Sequence, residues 1–245
     1  MEKINLQDMS IFDFKGTDIE NVKSPDAWYQ IFKNSYLKLP EKFIEHRKYF
    51  STRGFGEDPF HAMWFYLFEQ YKPKSILEIG VYRGQTISLF SLLGKHFNLD
   101  THVVGVGPLE AVNDSVSVFS TDINYEEDIR NNYTHFNLGE PNLVKSLSER
   151  KKARQVIKSQ KWDMIYIDGH HDWPYVLADY CNCAEALSDN GIMIIDDSSL
   201  HEDYNPPAGM FKGHVGPSYI LEDFAKDEME LFLTVGHNNC LRNIK

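Results

Sequence analysis

From residue 75 onward, the chain alternates short apolar runs with stretches of helical spacing, and this alternation restricts the fold more than any other feature. The runs are apolar on both faces, which is typical of buried parallel strands, and their alternation with helices predicts a doubly wound sheet. The predicted strands are "SILEIG" (75–80), "HVVGVG" (102–107), "THFNLG" (134–139), "DMIYIDG" (163–169), "GIMIIDD" (191–197), "LFLTVG" (231–236) and "CLRNIK" (240–245). We therefore expect an α/β fold with a seven-stranded, mostly parallel sheet.

Both ends of the chain depart from this alternation. The last two predicted strands are separated only by "HNN", which predicts a hairpin and hence an antiparallel edge. In residues 1–74, two segments have helical apolar spacing instead: "PDAWYQIFKNSYLKL" (25–39) and "DPFHAMWFYLFEQY" (58–71). We predict an N-terminal helical extension over 1–74 and an α/β domain over 75–245. The extension could cover its own sheet or a partner subunit, so a homo-oligomer stays open.

Charge and composition restrict the partners of the protein. The chain has 25 Lys and Arg against 36 Asp and Glu, and the net charge of -11 argues against a nucleic-acid partner. No apolar run approaches the roughly 20 residues that span a bilayer. The three cysteines are too few for a disulfide framework, and "MEKINLQDMSIFDFKGTD" lacks the basic start and apolar core of a secretory signal. We expect a cytoplasmic protein without a membrane partner.

A glycine-containing turn follows the first predicted strand, in "SILEIGVYRGQTISLF". A strand-to-helix turn of this kind lets a ligand approach the backbone and directs helix N–H groups at it. Tyr82 stands where a dinucleotide fingerprint has its second glycine, so only Gly80 and Gly84 remain, and a simple tight connection is an equally good interpretation. Glu78 favours a ligand site, because a carboxylate there suits a ligand with an amine or a positive charge better than a pyrophosphate.

Three acids end two successive predicted strands, Asp168 at the fourth and Asp196 with Asp197 at the fifth. One predicted helix, 174–187, lies between these strands, so they form a strand–helix–strand unit whose carboxyl ends meet at one edge of the sheet. Unpaired carboxylates there would repel one another, and a Mg²⁺ ion, which prefers oxygen ligands, would relieve the repulsion. The alternative is that such acids cap helices, as Asp172 could do for the helix that follows it.

The segment "LEIGVYRGQT" resembles motif I of the class I S-adenosylmethionine-dependent methyltransferases, which have a Rossmann-like fold, and its "EIGVYRG" form is similar to that of the macrocin-type sugar O-methyltransferases. The resemblance covers residue 75 to the C-terminus in strand order and motif position. It implies an S-adenosylmethionine-dependent methyltransferase whose cofactor-binding residues are Glu78, Gly80, Gly84, Gln85 and Thr86. Asp168 is a further expected cofactor contact, and Tyr82 in the glycine turn is either a ligand contact or a surface residue.

The acids resemble the metal site of the catechol-type and macrocin-type O-methyltransferases. By this resemblance Asp168, Asp196 and Asp197 hold Mg²⁺, Asp168 is part of the catalytic site, and His171, three residues after the first acid, is the general base. The ion would lower the pKa of a hydroxyl group of a sugar or another small molecule, and the histidine would take its proton. The extension and the 198–220 loop would shape the acceptor pocket.

One departure from the family pattern concerns the cofactor. The second strand of such folds ends in an acid that binds the ribose, whereas this chain has Gly107 there, with Glu110 or Asp114 as open substitutes. The same gap, together with Tyr82, counts against the alternative of a nicotinamide-dependent oxidoreductase. A non-catalytic domain of the same fold is a second alternative.

The histidines leave one choice open. His170 and His171 compete for the role of base, and the family spacing favours His171. His214 lies in the long loop, where it could reach a substrate but is expected to be solvated, while His237 in "GHNN" is expected to be structural.

Overall fold

The structure is a computed structural model that describes residues 24–243. The N-terminal stretch that was compared with a secretory signal, and the last two residues of the final predicted strand, lie outside the described residues. No helix in the described part of the chain is long and apolar enough to cross a bilayer.

The described residues form one seven-stranded sheet in the order β3-β2-β1-β4-β5-β7-β6. Strands β1 to β5 pair in parallel, whereas β7 is antiparallel to both β5 and β6, which confirms the predicted fold class and its antiparallel edge. The strands are β1 (Ser75–Ile79), β2 (His102–Gly107), β3 (Asn142–Lys145), β4 (Trp162–Ile167), β5 (Leu187–Ile195), β6 (Met229–Val235) and β7 (Asn238–Asn243).

Helices cover both faces of the sheet. They are α1 (Pro25–Tyr36), α2 (Glu41–Tyr49), α3 (Asp58–Tyr71), α4 (Gln85–His96), α5 (Tyr125–His135), α6 (Lys151–Ile157), α7 (Trp173–Ala186), α8 (Val215–Ile220) and α9 (Lys226–Glu228). Buried side chains of α1 to α5 form one apolar core with the sheet, and those of α6 to α8 form a second core on the opposite face. Two cores on two faces are what a doubly wound fold requires.

The helical extension packs into the first of these cores. Ten of the fourteen residues of α3 are buried, because the helix is enclosed by α1 on one side and by the sheet on the other. The Trp64 ring meets Phe90 and Tyr166 edge-on, with ring centroids 4.8 and 5.0 Å away. This packing brings the residues before and within the first turn of α3 to the carboxyl edge of the sheet.

The predicted third strand, 134–139, is wrong. Its first residues end α5, and Asn137 takes a left-handed conformation with φ 51° that closes the helix. The strand itself is Asn142–Lys145, of which only Val144 is buried. Because β3 buries only one side chain, its sequence contains no apolar run that would predict a strand. The apolar run that predicted a strand belongs to the end of α5.

Candidate active site

The glycine turn between β1 and α4 brings two backbone segments into direct contact. Gly80 has φ 103°, and a Cβ atom there would lie 1.7 Å from the carbonyl oxygen of Asp168. Gly84, at φ 79°, precedes the first residue of α4, so that the helix starts beneath the turn. Only glycine allows both the left-handed backbone and this close approach. The glycine turn and the end of β4 therefore form one continuous surface at the carboxyl edge of the sheet.

Two adjoining cavities lie against this surface. The smaller, about 360 Å³, lies over the ends of β1 and β2, and the larger, about 690 Å³, extends towards the loops of the helical extension. Both are lined by Gly80, Tyr82 and Asp168. The cofactor residues expected from the sequence all line the larger cavity: Glu78, Gly80, Tyr82, Gly84, Gln85, Thr86 and Asp168. An elongated ligand could therefore occupy both cavities by crossing the glycine turn.

Glu78 faces this space as a buried acid without a partner. Only 3% of its surface is exposed, and its Oε2 atom has no hydrogen-bond partner in the part of the chain that the structure describes. Burial raises the pKa of Glu78 to about 8. A buried carboxyl that lacks a donor is unfavourable unless a ligand supplies one.

The three acids expected to hold a metal meet at the carboxyl edge of β4 and β5. The strands are parallel neighbours in which Ile167 pairs with Ile195, so Asp168 comes next to Asp196 and Asp197. Burial, together with the charges of Asp196 and Asp197, raises the pKa of Asp168 well above its usual range. Asp197 has φ 54°, a left-handed conformation that Asp tolerates better than most residues. The structure thus brings three carboxyl groups together at a place where a cation could bind them.

His171 lies between two carboxylates. Its Nδ1 atom is 2.6 Å from Oδ2 of Asp114, and its Nε2 atom is 3.0 Å from Oδ2 of Asp197. Burial lowers the pKa of His171, but the bonds to Asp197 and Asp114 outweigh it and raise the value to about 9. The neighbouring His170 stacks on Tyr175 at 4.2 Å between ring centroids. Of the two histidines, His171 is thus the one that contacts an acid at the end of β5, whereas His170 lies 3.7 Å from Asp172.

The sequence did not indicate the role of His237, which lies among the same acids. Its Nδ1 atom is 2.9 Å from Oδ1 of Asp196 and 2.9 Å from Oδ1 of Asp197. Its Nε2 atom is 3.7 Å from Oε1 of Glu57, and the Tyr29 hydroxyl donates a hydrogen bond to Glu57 at 2.6 Å. The signal lay in the topology: because β7 runs antiparallel to β5, the β6–β7 turn lies at the carboxyl edge.

His214 also approaches the site, although its sequence position suggested a solvated loop residue. Its Nε2 atom is 3.8 Å from Oδ2 of Asp197. Two clusters within residues 24–243 have ligand atoms close enough for one metal ion: His171 with Asp197 and His214, and Asp196 with Asp197 and His237. Asp168 belongs to neither cluster, although it interacts with Asp196. Asp197, which belongs to both clusters, therefore lies close to imidazole nitrogens as well as to a carboxylate oxygen.

Of the two acids that could replace the missing acid at Gly107, the structure favours Glu110. A Cβ atom at Gly107 would lie 3.1 Å from the backbone nitrogen of Val81, so a side chain there would be crowded. Asp114 is engaged with His171. Glu110, by contrast, lines the smaller cavity and pairs only loosely with Lys145, at 3.6 Å. Glu110 is therefore the acid that remains available to replace the missing one.

Comparison with known proteins identifies the domain. Residues 77–198 match a family described as a methyltransferase domain. Among solved structures, an SAH-bound methyltransferase from Podospora anserina is 17% identical, with TM-score 0.57 over 84% of this chain and 89% of that one. A putative caffeoyl-CoA O-methyltransferase from Staphylococcus aureus is 12% identical, with TM-score 0.61 over 89% and 99%.

An O-methyltransferase from Bacillus cereus in complex with SAH is 14% identical, with TM-score 0.57 over 93% of this chain and 100% of that one. At these identities the likeness establishes a shared fold. No curated protein matches the chain.

Proposed function

The chain carries a class I S-adenosylmethionine-dependent methyltransferase domain over residues 77–198, and we propose that it methylates a hydroxyl group of a small molecule with the help of a divalent cation. The observation that carries this proposal is the meeting of three acids and three histidines beside the glycine turn. A methyl donor, an ion that activates a hydroxyl and a base are the three components that O-methylation of a weakly acidic hydroxyl needs.

The two cavities suit the two ends of S-adenosylmethionine. The buried Glu78 carboxyl lines the larger cavity and can accept hydrogen bonds from the ammonium group of the methionine end. The smaller cavity, lined by Val106 and Glu110 at the end of β2, would hold the adenosine. The sulfonium methyl group would then lie near the glycine turn, between the two ends and close to Asp168.

The donor set fits a divalent cation. Asp168, Asp196 and Asp197 offer carboxylate oxygens at one edge of the sheet, and burial together with the charges of the other two acids raises the pKa of Asp168. We assign these three acids as the residues that would hold the ion. When bound, the ion supplies Lewis-acid activation, which lowers the pKa of a coordinated acceptor hydroxyl.

His171 has the position and the partners of a general base. Asp114 accepts a hydrogen bond from its Nδ1 and so holds the ring with Nε2 directed at Asp197 and the cavity. A histidine with a pKa of about 9 would be protonated near neutral pH. If Asp197 held a cation, its carboxylate would be a weaker partner for Nε2 of His171, and the pKa of His171 would be lower than in the metal-free protein. His171 would then be available to take the proton of an acceptor hydroxyl.

The acceptor is a hydroxyl compound of small size, either a sugar or a phenol. Loops 54–57 and 209–211 and the segment 117–119 line the larger cavity with both aromatic and polar groups. The excess of acidic residues over the whole chain disfavours a nucleic-acid substrate. We propose a cytoplasmic location for the reaction.

The test is methyl transfer from S-adenosylmethionine labelled in its methyl group to a panel of sugars and phenols, with Mg²⁺ or Mn²⁺ and with EDTA. We expect labelled product with a metal ion, and at least ~100-fold less with EDTA or with His171→Ala. Transfer that is equally fast in EDTA would overturn the metal dependence. S-adenosylmethionine binding without transfer to any acceptor would favour a non-catalytic domain.

A further inference from the structure

His237 has a position that suits a metal ligand as well as a positively charged partner of the two acids. Its Nδ1 atom lies 2.9 Å from one oxygen of Asp196 and 2.9 Å from one oxygen of Asp197. Adjacent ligands of a six-coordinate ion with bonds of about 2.1 Å are about 3 Å apart. Both distances from Nδ1 are therefore those of neighbouring ligands around a single ion, and all three ligand atoms lie within 4.8 Å of one another.

A carboxylate supports His237 on its other side. Glu57 lies 3.7 Å from Nε2, and the Tyr29 hydroxyl donates a hydrogen bond to Glu57 that holds the carboxylate in place. The Phe60 ring, edge-on at 4.8 Å between centroids, restricts the imidazole further. A histidine that binds a metal through one nitrogen commonly directs the other nitrogen to a carboxylate, which fixes its tautomer and orientation.

The residue next to His237 supplies an independent sign of a ligand. Asn238 lines the same cavity, only 1% of its surface is exposed, and its Oδ1 atom has no hydrogen-bond partner among residues 24–243. A buried amide oxygen without a donor is unfavourable unless a bound ion or its water molecules satisfy it. The unpaired oxygen and the imidazole belong to the same turn.

We propose that His237 is a ligand of the bound cation, and that the site therefore takes a first-row transition metal such as Mn²⁺ or Co²⁺ in preference to Mg²⁺. Imidazole suits transition ions, whereas Mg²⁺ favours a shell of oxygen atoms. This inference rests on the proposed metal dependence and specifies the class of ion and a nitrogen ligand. It does not depend on the identity of the acceptor.

The competing role for His237 is a positively charged partner of Asp196 and Asp197. The two roles predict opposite effects when the ring is removed. Loss of a ligand weakens metal binding, whereas loss of a positive charge between two carboxylates strengthens the binding of any cation.

The experiment is calorimetric titration of the full-length protein with Mn²⁺, Co²⁺ and Mg²⁺, each with S-adenosylmethionine binding measured on the same sample. We expect wild type to bind Mn²⁺ and Co²⁺ at least ~10-fold more tightly than Mg²⁺. We expect His237→Ala to weaken Mn²⁺ and Co²⁺ binding at least ~10-fold, and Glu57→Gln to weaken it ~10-fold or more. The matched control is His102→Ala, an exposed histidine at the opposite edge of the sheet, which should leave all three affinities unchanged.

Unchanged or tighter Mn²⁺ binding by His237→Ala would overturn the proposal in favour of the counter-ion. A wild-type protein that binds S-adenosylmethionine but no divalent ion would overturn this inference and the metal dependence while leaving the methyltransferase assignment intact.

A second readout avoids the risk that His237→Ala fails to fold. Pulsed electron paramagnetic resonance of bound Mn²⁺ should detect coupling to a ¹⁴N nucleus. The coupling should persist in His171→Ala with His214→Ala, which removes the other two imidazoles near Asp197. Absence of nitrogen coupling in that double variant would overturn the ligand role of His237.

Discussion

The Asp114 carboxylate binds His171 twice: its Oδ2 atom accepts the His171 backbone N–H at 3.1 Å and lies 2.6 Å from Nδ1 of the ring. The other oxygen accepts the N–H groups of Val116 and Ser117. Asp114 thus joins the loop after β2 to the loop after β4, so the orientation of the proposed base is determined by a residue far from it in the chain.

Asp114→Asn should reduce the rate of methyl transfer by about 10²–10⁴-fold. An amide of the same shape keeps an acceptor for one set of bonds but presents N–H groups to His171, which disfavours the tautomer with a proton on Nδ1. The affinity for S-adenosylmethionine should change little although Asp114 lines the smaller cavity, because both of its oxygens are already bonded within the protein, to His171 and to the N–H groups of Val116 and Ser117. Calorimetry beside a transfer assay separates the two effects, and an unchanged turnover rate would remove Asp114 from the mechanism.

Asp168→Asn should stabilise the metal-free protein while abolishing methyl transfer. Burial and the charges of Asp196 and Asp197 raise the pKa of Asp168 well above its usual range, so this carboxyl costs folding free energy at neutral pH that a permanently neutral amide does not. The gain should raise the melting temperature, by about 2–4 °C for each 1 kcal/mol of added stability. Thermal melting in EDTA measures it. A lower melting temperature would show that the Asp168 carboxylate stabilises the fold.

Glu78 should make the stability of the metal-free protein decrease as the pH rises. Its carboxyl has a pKa of about 8 in the folded protein, against 4.5 as its reference value. Between these values the unfolded chain has lost the proton that the folded protein keeps, so the free energy of unfolding decreases as pH rises through this window. The Glu78→Gln variant has no carboxyl at this position, so its free energy of unfolding should not include this decrease. The difference between wild type and variant, followed by denaturant titration from pH 5 to 8, should increase with pH; a constant difference would contradict the raised pKa.

Glu110→Gln should weaken S-adenosylmethionine binding about tenfold, the cost of one hydrogen bond to a charged group. The expected contact is with the ribose hydroxyls, since Glu110 lines the smaller cavity and Gly107 offers no acid. Because the Glu110–Lys145 contact is exposed, the substitution should not alter the melting temperature. Equal affinities of the variant and wild type would leave ribose recognition to backbone groups.

The sequence predicted those parts of the site that follow the strand order. Asp168, Asp196 and Asp197 each follow directly on an apolar run, so adjacency of β4 and β5 was enough to bring them together. The role of His237 depended on the less obvious fact that the final hairpin folds back beside β5. The position of Glu57 beside His237 depends on how α3 packs against the sheet. Apolar spacing in the sequence predicts the helix but not its orientation.

The third strand was mispredicted for a different reason. Apolar periodicity reports burial, and β3 is an edge strand that buries only Val144. The end of α5 produced a stronger strand-like pattern in 134–139, although Asn137 terminates a helix there. Edge strands and helix ends are where local sequence patterns and tertiary packing diverge.

Calorimetric titration with S-adenosylmethionine, in Mn²⁺, in Mg²⁺ and in EDTA, with NAD⁺ as the control ligand, tests the central claim most directly. The account predicts saturable binding of one S-adenosylmethionine per chain, loss of that binding when Gly80→Ala forces a side chain against the Asp168 carbonyl, and no binding of NAD⁺. Failure to bind S-adenosylmethionine under all three conditions, or binding of NAD⁺ instead, would contradict it.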